Sequence, residues 1–395
     1  MDKFKIVKYP PAKSKVYLRK SLIYYIKSYF TSKHLTEFEN YFAEKEIIMA
    51  NSWVNLLSVY LSVIKKTNSN CDEVIIPNHS CFEFTKSVLI AGLKPVYIDL
   101  KSNLDLNFEQ LNLKISNKTL AIIGVSNVGV EIDFQKLKNV ADLNNIFLIE
   151  DATYTFLGTN HLNNKFGNLG NIAVLNFSEG KLIPVGGGAL VINKNLGKSI
   201  GEIKSLISPQ NKRDDIIDFM NILIYKIGSS KIGYSLYSYL SYFSKVDLKR
   251  SFSMEPTRKE NLINNDIKLI TLSRFKLSIV LAISKQFKYD IKNRFLKHSF
   301  LRKNLNKKYK LYKYHNNQIV LKSPLLLTDI NEEKIERLKS YGVSKLYSES
   351  SPLYTSNKSF PISSNLYKNL FTIPMHDDIS YKQLNDIIKI LNDFK

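Results

Sequence analysis

Apolar and polar residues alternate between residues 70 and 200 in a way that predicts a repeated strand–helix unit. Short apolar runs occur at Glu73–Pro77, Pro95–Asp99, Leu120–Val125 and Ile146–Glu150. Helical stretches follow two of them, at Phe84–Ala91 and around Phe134–Leu143. Continuous apolar strands that alternate with helices are typical of a parallel sheet buried on both faces. We therefore predict an α/β fold whose ligand site lies at the carboxyl ends of the strands.

Residues 1–48 are predicted to form a basic lead-in and then a helix with an apolar face at Leu35, Phe38, Tyr41 and Phe42. A second helix is predicted after Asn51-Ser52-Trp53, because Asn and Ser are good N-cap residues. Its apolar residues recur at helical spacing, at Leu57, Tyr60, Leu61 and Ile64. Free N–H groups at such a helix start can hold a phosphate. An ordinary capped helix is the simpler interpretation from these residues alone.

The segment from Asp215 to Phe243 is apolar and rich in tyrosine, and Gly228 and Gly233 interrupt it. It predicts two short helices. Basic residues flank it, at Lys212, Arg213, Lys245, Lys249 and Arg250. The helices could therefore lie on an anionic membrane surface, or they could pack on the body or on a partner subunit.

The C-terminal residues are predicted to form a smaller α+β unit. Its last helix follows Ser380 as N-cap and carries an apolar stripe at Leu384, Ile387, Ile388 and Leu391. His376 lies shortly before this helix, and we interpret it as structural.

Composition narrows the class of protein further. The 395 residues are enough for a large core, and the two cysteines cannot form a disulfide framework or a tetrahedral thiolate metal site. The N-terminal residues contain no apolar signal-peptide core, so we expect a cytoplasmic protein. The net charge of +22 is spread along the chain without a nucleic-acid-binding motif. An anionic small substrate or an acidic membrane face suits this charge better than a nucleic acid.

The candidate chemistry lies between Val174 and Ile192. Lys181 follows an apolar run that ends at Asn176 and precedes the triplet Gly186-Gly187-Gly188. Glycines allow a sharp bend or a close approach to another group. An amine held partly out of water loses its proton more easily, and the neutral amine condenses with an aldehyde. From this segment alone, a lysine at the end of a hairpin strand is the simpler interpretation.

Several segments together resemble the DegT/DnrJ/EryC1/StrS sugar aminotransferase family, pyridoxal-phosphate (PLP) enzymes of fold type I. They keep the family's order and read EVIIP, AGLKPVYID, LAIIGVSNVGVEIDF, IFLIEDA, FGNLGNIAVLNFSEGKLIPVGGGALV and FPISSNLYKNLFTIPMHDDISYKQLNDII. The resemblance implies a mostly parallel sheet between layers of helices. It also implies a large cofactor-binding domain at 1–205, a helical insertion with interdomain helices at 206–300 and a small C-terminal domain at 301–395.

The same resemblance implies roles for single residues. Lys181 matches the lysine that holds the cofactor covalently and later acts as general base, and Asp151 matches the carboxylate that pairs with the pyridinium nitrogen. The other implied cofactor-binding residues are Asn51, Ser52, Trp53, Cys81, Tyr154 and Asn176. Arg274 is the candidate that reaches a second subunit of a homodimer. No metal ligand is implied.

The sequence departs from the family at several of these positions. Cys81 stands where an aromatic ring usually stacks on the cofactor, although His79 or Phe82 could replace it from next door. Tyr154 stands for a Gln or His, and Trp53 stands for a small hydroxyl residue. Asn176 stands for a serine, and the glycine triplet lacks a Glu and lies one residue closer to the lysine. These changes weaken the expectation of ordinary catalysis.

The activity that the resemblance implies is amino transfer to a keto group on a nucleotide-linked or lipid-linked sugar, for surface polysaccharides such as lipopolysaccharide. Glutamate is the implied amino donor. The departures leave open a degenerate member that binds without catalysing. A third hypothesis is dehydration of the sugar, for which the family replaces the lysine by histidine or adds a cysteine-bound iron–sulfur cluster. Lys181 and the two cysteines argue against it.

Overall fold

A seven-stranded sheet forms the centre of the computed structural model, which describes residues 7, 9–30, 36–42, 45–211, 213–244, 267–328, 331–354 and 359–392. The strand order is β1-β7-β6-β5-β4-β2-β3. The strands are β1 (Lys45–Ala50), β2 (Glu73–Pro77), β3 (Lys94–Ile98), β4 (Thr119–Val125), β5 (Phe147–Asp151), β6 (Ile172–Asn176) and β7 (Gly188–Asn193). From β3 to β6 each neighbouring pair is parallel, whereas β7 is antiparallel to both β1 and β6. The predicted mostly parallel sheet is therefore confirmed.

Helices connect these strands and cover the sheet. In the first half of the chain they are α1 (Leu18–Lys27), α2 (Thr36–Tyr41), α3 (Trp53–Thr67), α4 (Phe82–Ile90), α5 (Phe108–Lys114), α6 (Phe134–Leu143) and α7 (Gly197–Ser205). Every residue of β4 is buried, as the continuous apolar run predicted. Side chains from both faces of the sheet pack against helices, so the core lies in two layers.

The capped helix predicted after Asn51-Ser52 is present as α3. The Ser52 Oγ accepts a hydrogen bond from the Asn55 N–H at 3.2 Å, which satisfies one of the free donors at the helix start. All four residues of the predicted stripe are buried against the sheet. This helix is positioned so that its N-terminus follows the end of β1.

A second, four-stranded antiparallel sheet has the order β10-β11-β13-β12. Its strands are β10 (Lys310–Leu311), β11 (Lys322–Leu326), β12 (Ser344–Lys345) and β13 (Leu370–Pro374). Helices α12 (Glu332–Lys339), α13 (Pro361–Asn369) and α14 (Tyr381–Asn392) belong to the same part of the chain. The stripe predicted for the last helix is buried in α14, and the Gln383 Oε1 accepts from the Ser380 N–H at 3.0 Å.

Asp99 joins this second sheet to the first. It follows β3, and its carboxylate accepts from the N–H groups of Ile362 (3.0 Å) and Ser363 (2.8 Å) at the start of α13. A buried carboxylate at a helix N-terminus compensates unpaired donors there. The contact fixes the second sheet near the carboxyl ends of the parallel strands.

The N-terminal region differs from the sequence prediction, whereas the segment from Asp215 to Phe243 agrees with it. The N-terminal region contains α1 and β1 in addition to the predicted helix, which is the short α2; Leu35 lies outside the described residues. β1 was missed because the predicted helix was continued into the run Glu46–Ala50. The segment from Asp215 to Phe243 does form two helices, α8 (Asp214–Gly228) and α9 (Lys231–Ser244). Of its basic flanks, Lys212, Lys245, Lys249 and Arg250 lie outside the described residues.

Helices α10 (Arg274–Ser284) and α11 (Phe287–Asn304) lead from this insertion to the second sheet, and two short strands, β8 (Ile207–Ser208) and β9 (Leu269–Ile270), pair in parallel. Among the described residues, no helix is both long enough and apolar enough to cross a membrane.

Candidate active site

Lys181 lies in the loop between β6 and β7, at the carboxyl edge of the sheet. Its side chain is 7% exposed, and its Nζ lies 3.6 Å from the centroid of the Tyr154 ring. A cation this close to an aromatic face gains about 0.5–2 kcal/mol, more when water is excluded. Tyr154 follows β5, so the ring and the amine come from two neighbouring strand ends. The hairpin that carries Lys181 therefore lines a buried pocket and is not a solvent-exposed turn.

Asp151 is the last residue of β5 and belongs to the same group. It is buried, and its Oδ1 accepts from the Thr153 N–H at 3.0 Å. Burial raises the pKa of the Asp151 carboxyl, while the bonds from Thr153 and the positive charge of Lys181 oppose that rise. The Asp151 carboxylate thus lies near the Lys181 amine but forms no direct ion pair with another residue of the described chain.

Cys81 completes this group from the loop after β2. Burial raises the pKa of the Cys81 thiol to about 11, although the charge of Lys181 works in the opposite direction. The thiol therefore stays protonated near neutral pH and is neither a nucleophile nor a strong metal ligand.

Buried polar atoms without a hydrogen-bond partner lie beside Cys81. Within the described residues these include the Ser80 Oγ after β2, and the Ser126 Oγ and Asn127 Oδ1 after β4. β4 ends next to β5, with Val125 paired to Asp151. Because buried polar groups are normally satisfied, this cluster has unused capacity to bind a polar ligand.

The two aromatic candidates beside Cys81 pack against tyrosine side chains of the later chain. His79 is fully buried, with its ring 5.1 Å from that of Tyr347 and 4.7 Å from that of Tyr367, and burial lowers its pKa to about 3. Phe82 packs with Leu353 and Tyr367 in a separate apolar cluster. That either ring replaces the missing aromatic residue stays a prediction. Tyr154 is the ring nearest the lysine amine.

The side chains at the start of α3 are already engaged. The Asn51 N–H and Oδ1 both bond to the backbone of Ile270, at 2.9 and 3.0 Å. The Trp53 indole is buried, 5.0 Å from the Phe84 ring. Ser52 caps the helix through its Oγ. The free backbone N–H groups of this helix start, the Asn51 side-chain amide and the Ser52 O–H remain donors that can serve a phosphate.

Asn176 ends β6, and its Oδ1 accepts from the Ser178 N–H at 2.7 Å. This local bond shapes the turn that leads to Lys181. The described residues give its side-chain N–H groups no hydrogen-bond acceptor, so these donors are available to a ligand beside the loop.

Two residues of the later chain were missed by the sequence analysis. Lys322 is the first residue of β11 and is 4% exposed, and burial together with the like charge of Lys181 lowers its pKa to about 7. Tyr347 lies close enough to Cys81, Tyr154 and Asp151 for their charges to raise its pKa further, in addition to the larger effect of burial. A signal for Lys322 existed, because it is the only charged residue in the apolar run from Ile319 to Leu327.

Tyr314 holds this part of the second sheet against the first. Its hydroxyl donates to the Val128 carbonyl at 2.8 Å, and the Lys322 carbonyl lies 3.3 Å away. Val128 belongs to the turn after β4. The start of β11 is thus fixed at the edge where Lys181 lies.

The glycine triplet has a structural reason of its own. Gly186 and Gly187 have φ of 78° and 76°, values that favour glycine. A Cβ on Gly188 would lie 2.3 Å from the Leu175 carbonyl oxygen and 2.6 Å from the Trp53 Cβ. The triplet therefore turns the chain and lets β7 approach β6 and α3.

Arg274 is the one predicted residue that lies apart from the others. It begins α10 at the surface, with its guanidinium 4.8 Å from the centroid of the Tyr29 ring. No contact joins it to the Lys181 group within the described part of the chain.

Parts of this chain are similar in sequence to known proteins. The model of the DegT/DnrJ/EryC1/StrS aminotransferase family matches residues 25–211. A GDP-perosamine synthase of Escherichia coli O157:H7 is 27% identical over 165 residues, which are 41% of this chain and 45% of that relative. The chain thus matches about half the length of the curated relatives.

Solved structures extend the likeness in fold. Helicobacter pylori PseC, an aminotransferase involved in the biosynthesis of pseudoaminic acid, has a TM-score of 0.70 at 15% identity, over 98% of this chain and 100% of that chain. An E. coli GDP-4-keto-6-deoxy-D-mannose-3-dehydratase with bound hydrated PLP has a TM-score of 0.68 at 17% identity, over 98% of this chain and 100% of that chain. Residues 25–211, slightly less than half of the chain, therefore match the DegT/DnrJ/EryC1/StrS aminotransferase family model, and nearly the whole chain has the fold type I architecture predicted from the sequence.

Proposed function

We propose that this chain is a PLP-dependent aminotransferase that places an amino group on the keto carbon of a nucleotide-linked sugar, with glutamate as amino donor, in surface polysaccharide biosynthesis. One observation carries the proposal. A buried lysine amine and a buried carboxylate, Lys181 and Asp151, share one strand edge with polar atoms that lack partners. The similarity to a GDP-perosamine synthase and to an aminotransferase involved in the biosynthesis of pseudoaminic acid supports a nucleotide-linked sugar as substrate.

The residues present fit PLP. The unpartnered Ser80 and Ser126 hydroxyls lie where a polar ligand would be held, and the start of α3 offers backbone donors to a phosphate. When bound, the cofactor supplies an aldehyde that condenses with an amine and a ring that accepts electrons from a breaking C–H bond. Asp151 would face the ring nitrogen, and a protonated nitrogen there would offset the rise that burial imposes on the Asp151 pKa.

Lys181, Tyr154 and Lys322 would then have separate roles in the reaction. Lys181 Nζ holds and releases the proton that moves at the reacting carbon, with Tyr154 beneath it as a fixed apolar support. Lys322 adds a second amine near Lys181, and its pKa of about 7 lets it change charge near neutral pH. Burial of the whole group excludes water from the proton transfer.

A non-catalytic member of the family is the second candidate. The Asn51 Oδ1 and the Ser52 Oγ accept bonds from the local backbone, and the Trp53 indole packs on Phe84, so few side-chain donors remain here for the phosphate. The dehydratase hypothesis is weaker, because Lys181 keeps the position that the family's dehydratases of one type change to histidine. The shared fold does not separate these activities.

The absorbance spectrum of the protein with PLP tests the proposal. We expect a band at about 410–430 nm in the wild type, which Lys181→Ala abolishes together with turnover of nucleotide-linked keto-sugars with glutamate. Lys118→Ala is the control, since this exposed lysine precedes β4 at the opposite edge of the sheet. A Lys181→Ala variant that keeps both band and turnover would refute the assignment. A colourless wild type that binds keto-sugar favours the non-catalytic candidate.

We further propose that the protein is a homodimer and that α8 and α9 lie against a second surface. Nine large apolar side chains on these helices are more than a third exposed, so the two helices do not bury them on the body of the chain: Ile216, Ile217, Met220, Ile224, Ile227, Ile232, Leu236, Tyr239 and Leu240. The net charge of +22 favours an anionic membrane face, and a second subunit is the other occupant to be tested. Arg274 is the candidate for contact across the dimer.

A further inference from the structure

A polar cavity of about 440 Å³ lies outside the Lys181 group. The strap at residues 13–16, the end of α8, the middle of α11 and the loop at residues 376–378 form its walls. None of its lining residues is among those that surround Lys181. Its size is enough for several waters or for a small polar ligand.

Arg294 of α11 lines this cavity and is 4% exposed. Its Nη2 donates to the Lys13 carbonyl at 3.0 Å, but its Nε and Nη1 have no hydrogen-bond acceptor among the described residues. A guanidinium does not give up its charge, and a buried charge without a partner is costly. The Asp377 and Asp290 carboxylates lie near enough to favour its charge, but neither accepts from Nε or Nη1 within the described residues, so these two donors can serve an added acceptor.

The charges around Arg294 sum to a surplus of positive charge. Lys297, one helical turn further along α11, is also buried and donates to the His376 carbonyl at 2.9 Å. Asp378 is neutralised by Lys13 at 2.6 Å, and Lys15 approaches Asp377 at 3.8 Å. Within the described chain, Asp290 forms no ion pair with these cations, and its Oδ2 accepts from the Tyr17 hydroxyl at 2.8 Å. No ion pair within the described residues joins a carboxylate to Arg294 or Lys297.

The remaining polar atoms of the wall suit an oxyanion that carries a hydroxyl group. The Ser14 Oγ and the His376 Nδ1 have no partner in the described structure. The His376 Nε2 lies 2.9 Å from the Pro10 carbonyl, so it is the donor. Burial lowers the pKa of His376 to about 4, and the neutral ring leaves Nδ1 as an acceptor.

We propose that this cavity binds a small oxyanion, a phosphate or a carboxylate, with Arg294 as its central donor. Lys226 lies at the exposed side of the cavity and supplies a further cation. Tyr225, next to it, lies within hydrogen-bond reach of the backbone of Ser14 and of Gly180, the residue before Lys181. Tyr225 therefore connects the anion site to the loop that carries Lys181. The proposal of an anion site does not depend on the proposed amino transfer.

Isothermal titration of inorganic phosphate, with parallel titrations of pyrophosphate and of lactate, a hydroxy-carboxylate that is not the proposed amino donor, tests the proposal. The protein is first saturated with PLP, so that phosphate cannot bind at the start of α3. We expect one site per chain, and Arg294→Gln weakens it by about 10- to 100-fold, as expected for a charge-assisted hydrogen bond. Arg294→Lys should restore part of this loss. Preference for phosphate or for lactate shows whether the anion is a phosphate or a carboxylate.

Lys226→Ala keeps the test decisive if Arg294→Gln does not fold. This exposed side chain carries no core contact, and its loss should weaken binding several-fold without changing the unfolding temperature. Lys94→Gln, at an exposed ion pair on β3, is the control for general charge effects. The proposal is overturned if none of the three anions binds, or if they bind equally well to the Arg294→Gln, Lys226→Ala and wild-type proteins. It does not fail with the amino-transfer proposal, because a colourless protein still gives a phosphate titration.

Discussion

Replacing Lys322 by methionine tests whether the second sheet buries a cation beside Lys181. The wild-type pKa falls from 10.5 to about 7 on folding, mainly because the amine is desolvated. This fall corresponds to ~5 kcal/mol of folding free energy at a pH where the lysine is charged in both states. Methionine has similar length and no charge, so it fills the same space without that cost.

The sign follows from proton binding. Below about pH 7 the folded and unfolded states are both protonated, and the whole cost is present. Between about pH 7 and 10.5 the unfolded chain binds the extra proton, so wild-type stability rises with pH. We therefore expect Lys322→Met to be more stable than wild type by several kcal/mol at pH 6.5. The difference should shrink by ~1.4 kcal/mol per pH unit above 7.

Urea unfolding of the cofactor-free protein at several values between pH 6.5 and 9.5 measures this difference. Lys118→Met, on the exposed loop before β4, should show no such pH dependence and serves as the control. A difference between Lys322→Met and wild type that stays constant across the range would refute the reasoning. So would a variant that is less stable at pH 6.5, because the ammonium would then have a favourable partner.

Two further predictions concern packing and the exposed helices. Gly188→Ala should destabilise the fold by ~1–3 kcal/mol in urea unfolding, because its Cβ would meet the Leu175 carbonyl at 2.3 Å. The control Gly201→Ala, on α7 with open space around it, should be neutral or stabilising. Equal effects of the two substitutions would refute the structural reason given for the glycine at position 188. The double variant Ile224→Glu/Ile232→Glu should lose co-sedimentation with anionic vesicles, while Leu113→Glu on α5 should keep it. If the variant instead becomes monomeric and vesicle binding is absent throughout, a second subunit covers α8 and α9.

Continuous apolar strands made the large sheet predictable. A strand buried on both faces must be apolar at every position, and β2, β4 and β5 were found within one or two residues of their observed bounds. The α3 cap was predicted for a similar reason, because Ser52 satisfies a donor that every helix start leaves free. Asp151 lies at the end of such a strand and Lys181 lies in the loop after the next one, but their roles were assigned from the family resemblance.

Residues that depend on long-range contacts were not predictable in this way. β1 pairs only with β7, about 140 residues later, and nothing local distinguishes it from the end of a helix. Lys322 reaches the site because Tyr314 fixes the start of β11 to the turn after β4, a contact across 186 residues of sequence. Cys81, His79 and Phe82 show the same limit: their order along the chain does not say which of them faces the lysine.

The electrostatics of the site imply what must bind there. Lys181 and Lys322 are two buried amines, and Asp151 is a buried carboxylate on which the charge of Lys181 acts. Two cations and one anion in a low-dielectric pocket carry a surplus that a phosphate-bearing ligand would balance. Such a ligand would raise the Lys322 pKa toward its ordinary value, because an opposite charge favours the protonated amine. The pH dependence that Lys322→Met removes from the cofactor-free protein should then also flatten when wild-type protein is saturated with PLP, and a slope that persists would place the phosphate away from Lys322.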